Sequence, residues 1–162
     1  MVRGLEARAK GLLYRGEIEE AAELLRRTIA QGPRTNPRHV NLLGICEIRL
    51  GHREMARELF SSVVSEFPRN ASALTNMGNL AFLEGDQKTA CDYYARAVQE
   101  NVFLQEPRFN LVRSYQYMGH FEKAMIAYEE YLAMAKLGRW GRTVLLLFLS
   151  LALIAVILIV KR

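Results

Sequence analysis

The sequence predicts an all-α chain, a superhelix of about four helix-turn-helix repeats followed by one transmembrane helix. Three observations carry this prediction. Glycines recur at Gly16, Gly51, Gly85 and Gly119, at intervals of 35, 34 and 34. Each is followed five residues on by an alanine (Ala21, Ala56, Ala90, Ala124) and four further by a large apolar residue (Leu25, Phe60, Tyr94, Tyr128). Near the end of the 162 residues, Thr143 to Val160 reads TVLLLFLSLALIAVILIV, an unbroken run without charge or proline.

Each element of the repeat has a physical reason. Glycine suits the end of a first helix because it takes a left-handed backbone conformation without a Cβ penalty. Seven and eight residues before each glycine stand Arg8-Ala9, Leu43-Gly44, Met77-Gly78 and Leu111-Val112. The small member of the pair lets the second helix of the same unit approach, and Ala56 and Ala90 do so from the other side. The large residues fill the space between units. Pro33 and Pro68 close the first two units; their later equivalents are Val102 and Lys136. One unit alone leaves an apolar face open, and stacking buries it.

A period of 34 with these positions resembles the tetratricopeptide repeat. The resemblance covers residues 2–136, with repeats 2–35, 37–70, 71–104 and 105–136. The one-residue offset falls at Thr35-Asn36, between units. The resemblance implies eight helices in a right-handed superhelix, the last near Lys123 to Ala135, with the first helix of each repeat on a concave surface.

The apolar run is long enough for about 27 Å of helix at 1.5 Å per residue, close to a thin bilayer core. The charge supports this reading. Residues 1–135 carry 17 basic and 17 acidic side chains, so the whole excess of +5 lies in Lys136, Arg139, Arg142, Lys161 and Arg162. These residues and Trp140 bracket the run, where cations and indole favour the head-group zone. Residues 137–142 are therefore expected as a basic juxtamembrane linker, 143–160 as the span and 161–162 as a short tail. The excess belongs to membrane anchoring and gives no support for nucleic-acid binding. With no apolar run at the start and two residues after the span, tail-anchored insertion with a cytoplasmic head is expected. Arginine outnumbers lysine by 17 to 5, which favours a bacterial inner membrane, with an organelle outer membrane as the alternative.

The catalytic patterns sought are missing: there is no Gly-rich phosphate loop, HExxH, GxSxG or Cys/His metal spacing. His52 and His120 each follow a repeat glycine and read as solvated turn residues. Cys46 and Cys91 read as free thiols packed as small hydrophobes. No enzyme, cofactor or metal is expected.

The first helices supply the expected contact set for other proteins: Asn41, Arg49, Asn76, Asn79, Phe82, Asn110, Arg113 and Tyr117. Asn76 and Asn110 lie one full period apart, at equivalent places. The resemblance implies that such an Asn bonds the backbone of an extended peptide, since an amide side chain matches a peptide group. Clamping of a C-terminal carboxylate is disfavoured, because Glu106 occupies a position where a cation is needed. The function expected is a membrane-tethered scaffold or adaptor. The alternatives are an accessory subunit of a membrane complex and a self-assembling scaffold. Residues 1–70 are +3 (12 basic, 9 acidic) and 71–135 are −3 (5 basic, 8 acidic), a polarity that suits head-to-tail homo-oligomers.

Overall fold

A computed structural model describes residues 2–32 and 36–137. Among them are eight helices and no strand: α1 Val2–Arg15, α2 Ile18–Gln31, α3 Pro37–Arg49, α4 Arg53–Glu66, α5 Ala71–Leu83, α6 Gln87–Glu100, α7 Gln105–Tyr117 and α8 over 121–137. The last helix is longer than the 123–135 that the sequence predicts. The offset at Thr35, the linker from 138 and the apolar run 143–160 lie outside the described residues. No helix among the described residues is long and apolar enough to cross a membrane.

The four glycines end the four odd-numbered helices in the same way. Gly16, Gly51, Gly85 and Gly119 have φ of +82°, +87°, +84° and +73°. After each, the next residue's N–H reaches back to the carbonyl four residues before the glycine: Glu17 to Leu12, His52 to Glu47, Asp86 to Ala81 and His120 to Tyr115, at 2.9–3.0 Å. This is the Schellman closure, and only glycine takes its left-handed position cheaply. Several helix starts are equally local. Asn36 Oδ1 accepts from Arg38 N with Pro37 in the first turn, Asn70 Oδ1 accepts from Ala73 N, and Asp86 Oδ1 accepts from Thr89 N. Such caps satisfy donors that a helix N-terminus otherwise leaves open.

Inside a repeat the close approach is visible at two positions. A Cβ on Gly44 would stand 2.7 Å from Phe60 Cζ, and one on Gly78 would stand 2.5 Å from Tyr94 Cε1. Phe60 and Tyr94 are thus seated on bare backbone, and both are almost wholly buried. Ala56 and Ala90 are fully buried beside them, and Ala21 is fully buried beside Leu25 in the first repeat. From α1 to α7 each helix packs on the next, and α1 with α3, α3 with α5 and α5 with α7 also pack, forming an inner row.

The first and second repeats are also joined by charge. Glu47 is fully buried; its carboxylate accepts from Arg26 Nη2 at 2.5 Å and meets His52 Nδ1 at 2.8 Å. His52 is therefore not a free turn residue. Its ring stays partly in solvent while one nitrogen is fixed on Glu47, which removes a buried carboxylate's worst feature, the lack of a partner. Both thiols are free and buried. Burial pushes Cys46 up to about 11 and raises Cys91 as well, so neither is a ready nucleophile at neutral pH.

Candidate functional site

The inner row of helices encloses two adjoining cavities of about 400 and 410 Å³. Ile45, Asn76 and Glu106 line both, so the two form one continuous groove. The period of 34 explains the alignment, since residues at the same offset from successive glycines fall on the same face of α3, α5 and α7.

The first cavity brings together six of the eight expected contact residues: Arg49, Asn76, Asn79, Phe82, Asn110 and Arg113. Their surroundings differ. Asn79 Oδ1 accepts from Tyr94 Oη at 2.9 Å and from Asn110 Nδ2 at 2.7 Å, while Asn79 Nδ2 donates to Glu106 Oε1 at 3.2 Å. Asn79 is thereby an internal strut, and Asn110 has one amide proton committed to it. Burial raises the Tyr94 phenol, so it remains a neutral donor to Asn79. Arg49 Nη1 donates to Leu13 O at 2.9 Å, closing the end of α1. Asn76 is buried to 9% exposure in the groove wall, and its amide makes no hydrogen bond to another described residue. Its amide is thus left unengaged in the groove wall. Arg113 lies over the Phe82 ring, 5.0 Å from the centroid, and Tyr117 meets Phe82 edge-on at 5.2 Å. Tyr117 lines neither cavity and projects into solvent.

Asn41 lines the second cavity and is buried. Its amide nitrogen faces Asn70 Oδ1 at 3.5 Å, and its own oxygen is without a partner among the described residues. The sequence reading passes over Tyr94 as a contributor to the site. The signal was present: a hydroxyl at the place held elsewhere by Leu25 and Phe60 needs a partner when buried. Of the membrane-interface set, Lys136 is an exposed residue of α8, while Arg139, Trp140, Arg142, Lys161 and Arg162 lie outside the described residues. Among the described residues no group of His, Cys, Asp or Glu is placed to hold a metal ion.

Comparison with known proteins agrees with this architecture. A tetratricopeptide repeat profile matches residues 6–52 and 41–101, and a second matches 106–136. No curated protein matches the sequence. Among solved structures, the chain is similar to MamA at 22% identity and a TM-score of 0.65, covering 78% of this chain and 73% of that one. It is similar to PilF of Pseudomonas aeruginosa at 20% identity and 0.75, covering 83% and 61%. A thermophilic repeat protein of Thermus thermophilus gives 18% and 0.72, covering 83% and 74%.

Proposed function

The chain belongs to the tetratricopeptide repeat family, and from that premise we propose that it is a membrane-tethered scaffold that holds other proteins in the groove along α1, α3, α5 and α7. The observation that carries the reading is Asn76, a buried amide that faces the groove with no partner among the described residues. An extended peptide backbone supplies the donor and acceptor that this amide lacks. Ile45, Phe82 and Leu83 offer apolar contact beside it, and Arg49 and Arg113 offer positive charge.

The tether is residues 143–160. An inner first helix of this fold uses 13 residues and keeps one polar side, as α3, α5 and α7 do. The run from Thr143 to Val160 is longer by more than a helical turn, and only Thr143 and Ser150 in it are polar. As a ninth packed helix it would leave apolar side chains in water around most of its circumference. A bilayer removes that cost, and Lys136, Arg139, Arg142, Lys161 and Arg162 meet the head groups on either side. The repeat head then lies on the cytoplasmic face.

Site-specific photo-crosslinking tests the groove. A photoreactive residue at Ile45, which lines both cavities, is expected to trap another protein in native membranes. The same residue at Ser65, exposed on α4, is expected to trap none of it. Equal products from both positions would remove the groove from the account.

A further inference from the structure

The groove carries a charge that its own residues do not cancel. Residues 1–135 balance at 17 basic and 17 acidic side chains. The groove does not: Lys10, Arg38, Arg49 and Arg113 line its two cavities against Glu6 and Glu106, an excess of two positive charges. Between repeats, and away from these cavities, arginines meet carboxylates, as Arg57 meets Glu84 and Arg69 meets Glu100. At the groove, Arg38 faces Glu6 at 3.8 Å. Arg49 and Arg113 have no ion-pair partner among the described residues.

Both of these arginines are held by neutral groups. Arg49 Nη1 donates to Leu13 O, and Arg113 lies over the Phe82 ring. Such contacts restrict a long side chain without neutralising it, so an incoming carboxylate meets a smaller ordering cost. Ile45, Ile48, Phe82 and Leu83 line the same cavity, an apolar wall beside the two charges. Glu106 is the one acid of this cavity among the described residues. Asn79 Nδ2 donates to one of its oxygens, and it stands seven residues before Arg113 on α7, about 10 Å along the helix axis. The positions order the groove across its width. Glu106 is thirteen residues before its glycine, Asn76 nine, Arg113 six and Arg49 two. A backbone that meets Asn76 therefore has Glu106 on one side and the arginines on the other.

We propose that the groove selects an internal, extended segment of a partner protein in which an aspartate or glutamate side chain stands next to an apolar one. The carboxylate faces Arg49 and Arg113, and the apolar side chain rests on the wall formed by Ile45, Ile48 and Leu83. The proposal rests on the groove reading and adds the specificity to it. Asn76 meets any backbone alike, so it gives no choice of sequence; the arginines supply that choice, because charge complementarity favours one class of partner and suppresses others.

Peptide selection tests this with the full chain in mild detergent. Random peptides are displayed on phage and fused through their C-terminal ends, so that no free terminal carboxylate is offered. Sequences recovered on the unmodified chain are expected to be enriched several-fold in Asp or Glu beside an apolar residue. A recovered peptide, made with a fluorescent label, is expected to bind Arg49→Gln with Arg113→Gln roughly tenfold more weakly by anisotropy. Arg113→Glu is the stricter arm. It is expected to reject the recovered peptide and to bind a version with its acid replaced by lysine better than the unmodified chain does. A purely structural part for Arg113 would not exchange the preference in this way. Circular dichroism checks that helix content is kept, since Arg49 also holds α1. Recovered sequences that are basic or show no charge preference overturn the proposal, as do acidic ones whose binding ignores both arginines. Recovery that requires a free C-terminus overturns it too, and so does no recovery, the result for a folded partner or a second copy. The groove reading fails separately, if recovered peptides of any class bind Asn76→Ala as they bind the unmodified chain.

Discussion

Replacing Phe60 with alanine is expected to destabilise the repeat domain by about 3–5 kcal/mol, the usual cost of emptying a buried aromatic site. Phe60 fills the joint between the second and third repeats, sharing a cluster with Ala56 and Met77, and its ring occupies the space that a side chain on Gly44 would need. Truncation therefore removes packing within a repeat and between repeats at once. The matching change, Gly44→Ala, is expected to cost about 1–3 kcal/mol by overpacking. Because the two act on one space, adding Phe60→Leu to Gly44→Ala should cost less than the sum of the separate changes. Urea unfolding followed by circular dichroism measures each variant against the unmodified protein. A neutral Gly44→Ala would contradict the close approach.

The second large effect concerns the apolar run. An arginine at the centre of a membrane helix costs about 2.5–3.5 kcal/mol, roughly a hundredfold in partition. The unmodified protein is expected to stay in the pellet after alkaline carbonate and to leave it only with detergent. Leu151→Arg together with Ile154→Arg is expected to move most of it to the soluble fraction. Leu151→Phe with Ile154→Leu, which keeps the run apolar, should behave as the unmodified chain. If the unmodified chain is itself released by carbonate, the tether reading fails.

The parts of this molecule that the sequence makes legible are those set by local geometry. A glycine that needs a positive φ leaves a mark once in every repeat. An alanine under a neighbouring helix leaves another, as does the Gly44 that Phe60 covers. The groove itself follows from that period, because equal offsets from Gly51, Gly85 and Gly119 share a face. The chemistry within the groove was less legible. Asn79 and Asn76 look alike in sequence, each an amide on α5. One is consumed by Tyr94, Asn110 and Glu106, and the other is left facing the groove. That difference depends on side chains from other helices, and on which of them reach. Arg49 is similar: its bond to Leu13 O crosses from one repeat to another, so a residue that reads as a free cation also holds α1. His52 reads as a turn residue until the buried Glu47 of α3, itself held by Arg26 of α2, is placed against one ring nitrogen.

The same distinction changes which substitution probes binding. Asn110→Ala removes a donor from Asn79, so it mixes a structural loss with a functional one. Asn76→Ala removes an amide that supports nothing else among the described residues. One or two hydrogen bonds at about 0.5–1.5 kcal/mol each correspond to a loss of roughly 3- to 100-fold in affinity.

The most direct test of the scaffold reading is quantitative capture of the full-length protein from native membranes, with the unmodified chain compared to Asn76→Ala. The expected result is a several-fold fall in the recovered companion proteins, with helix content and membrane retention unchanged. Recovery of the same companions in the same yield from Asn76→Ala would contradict it.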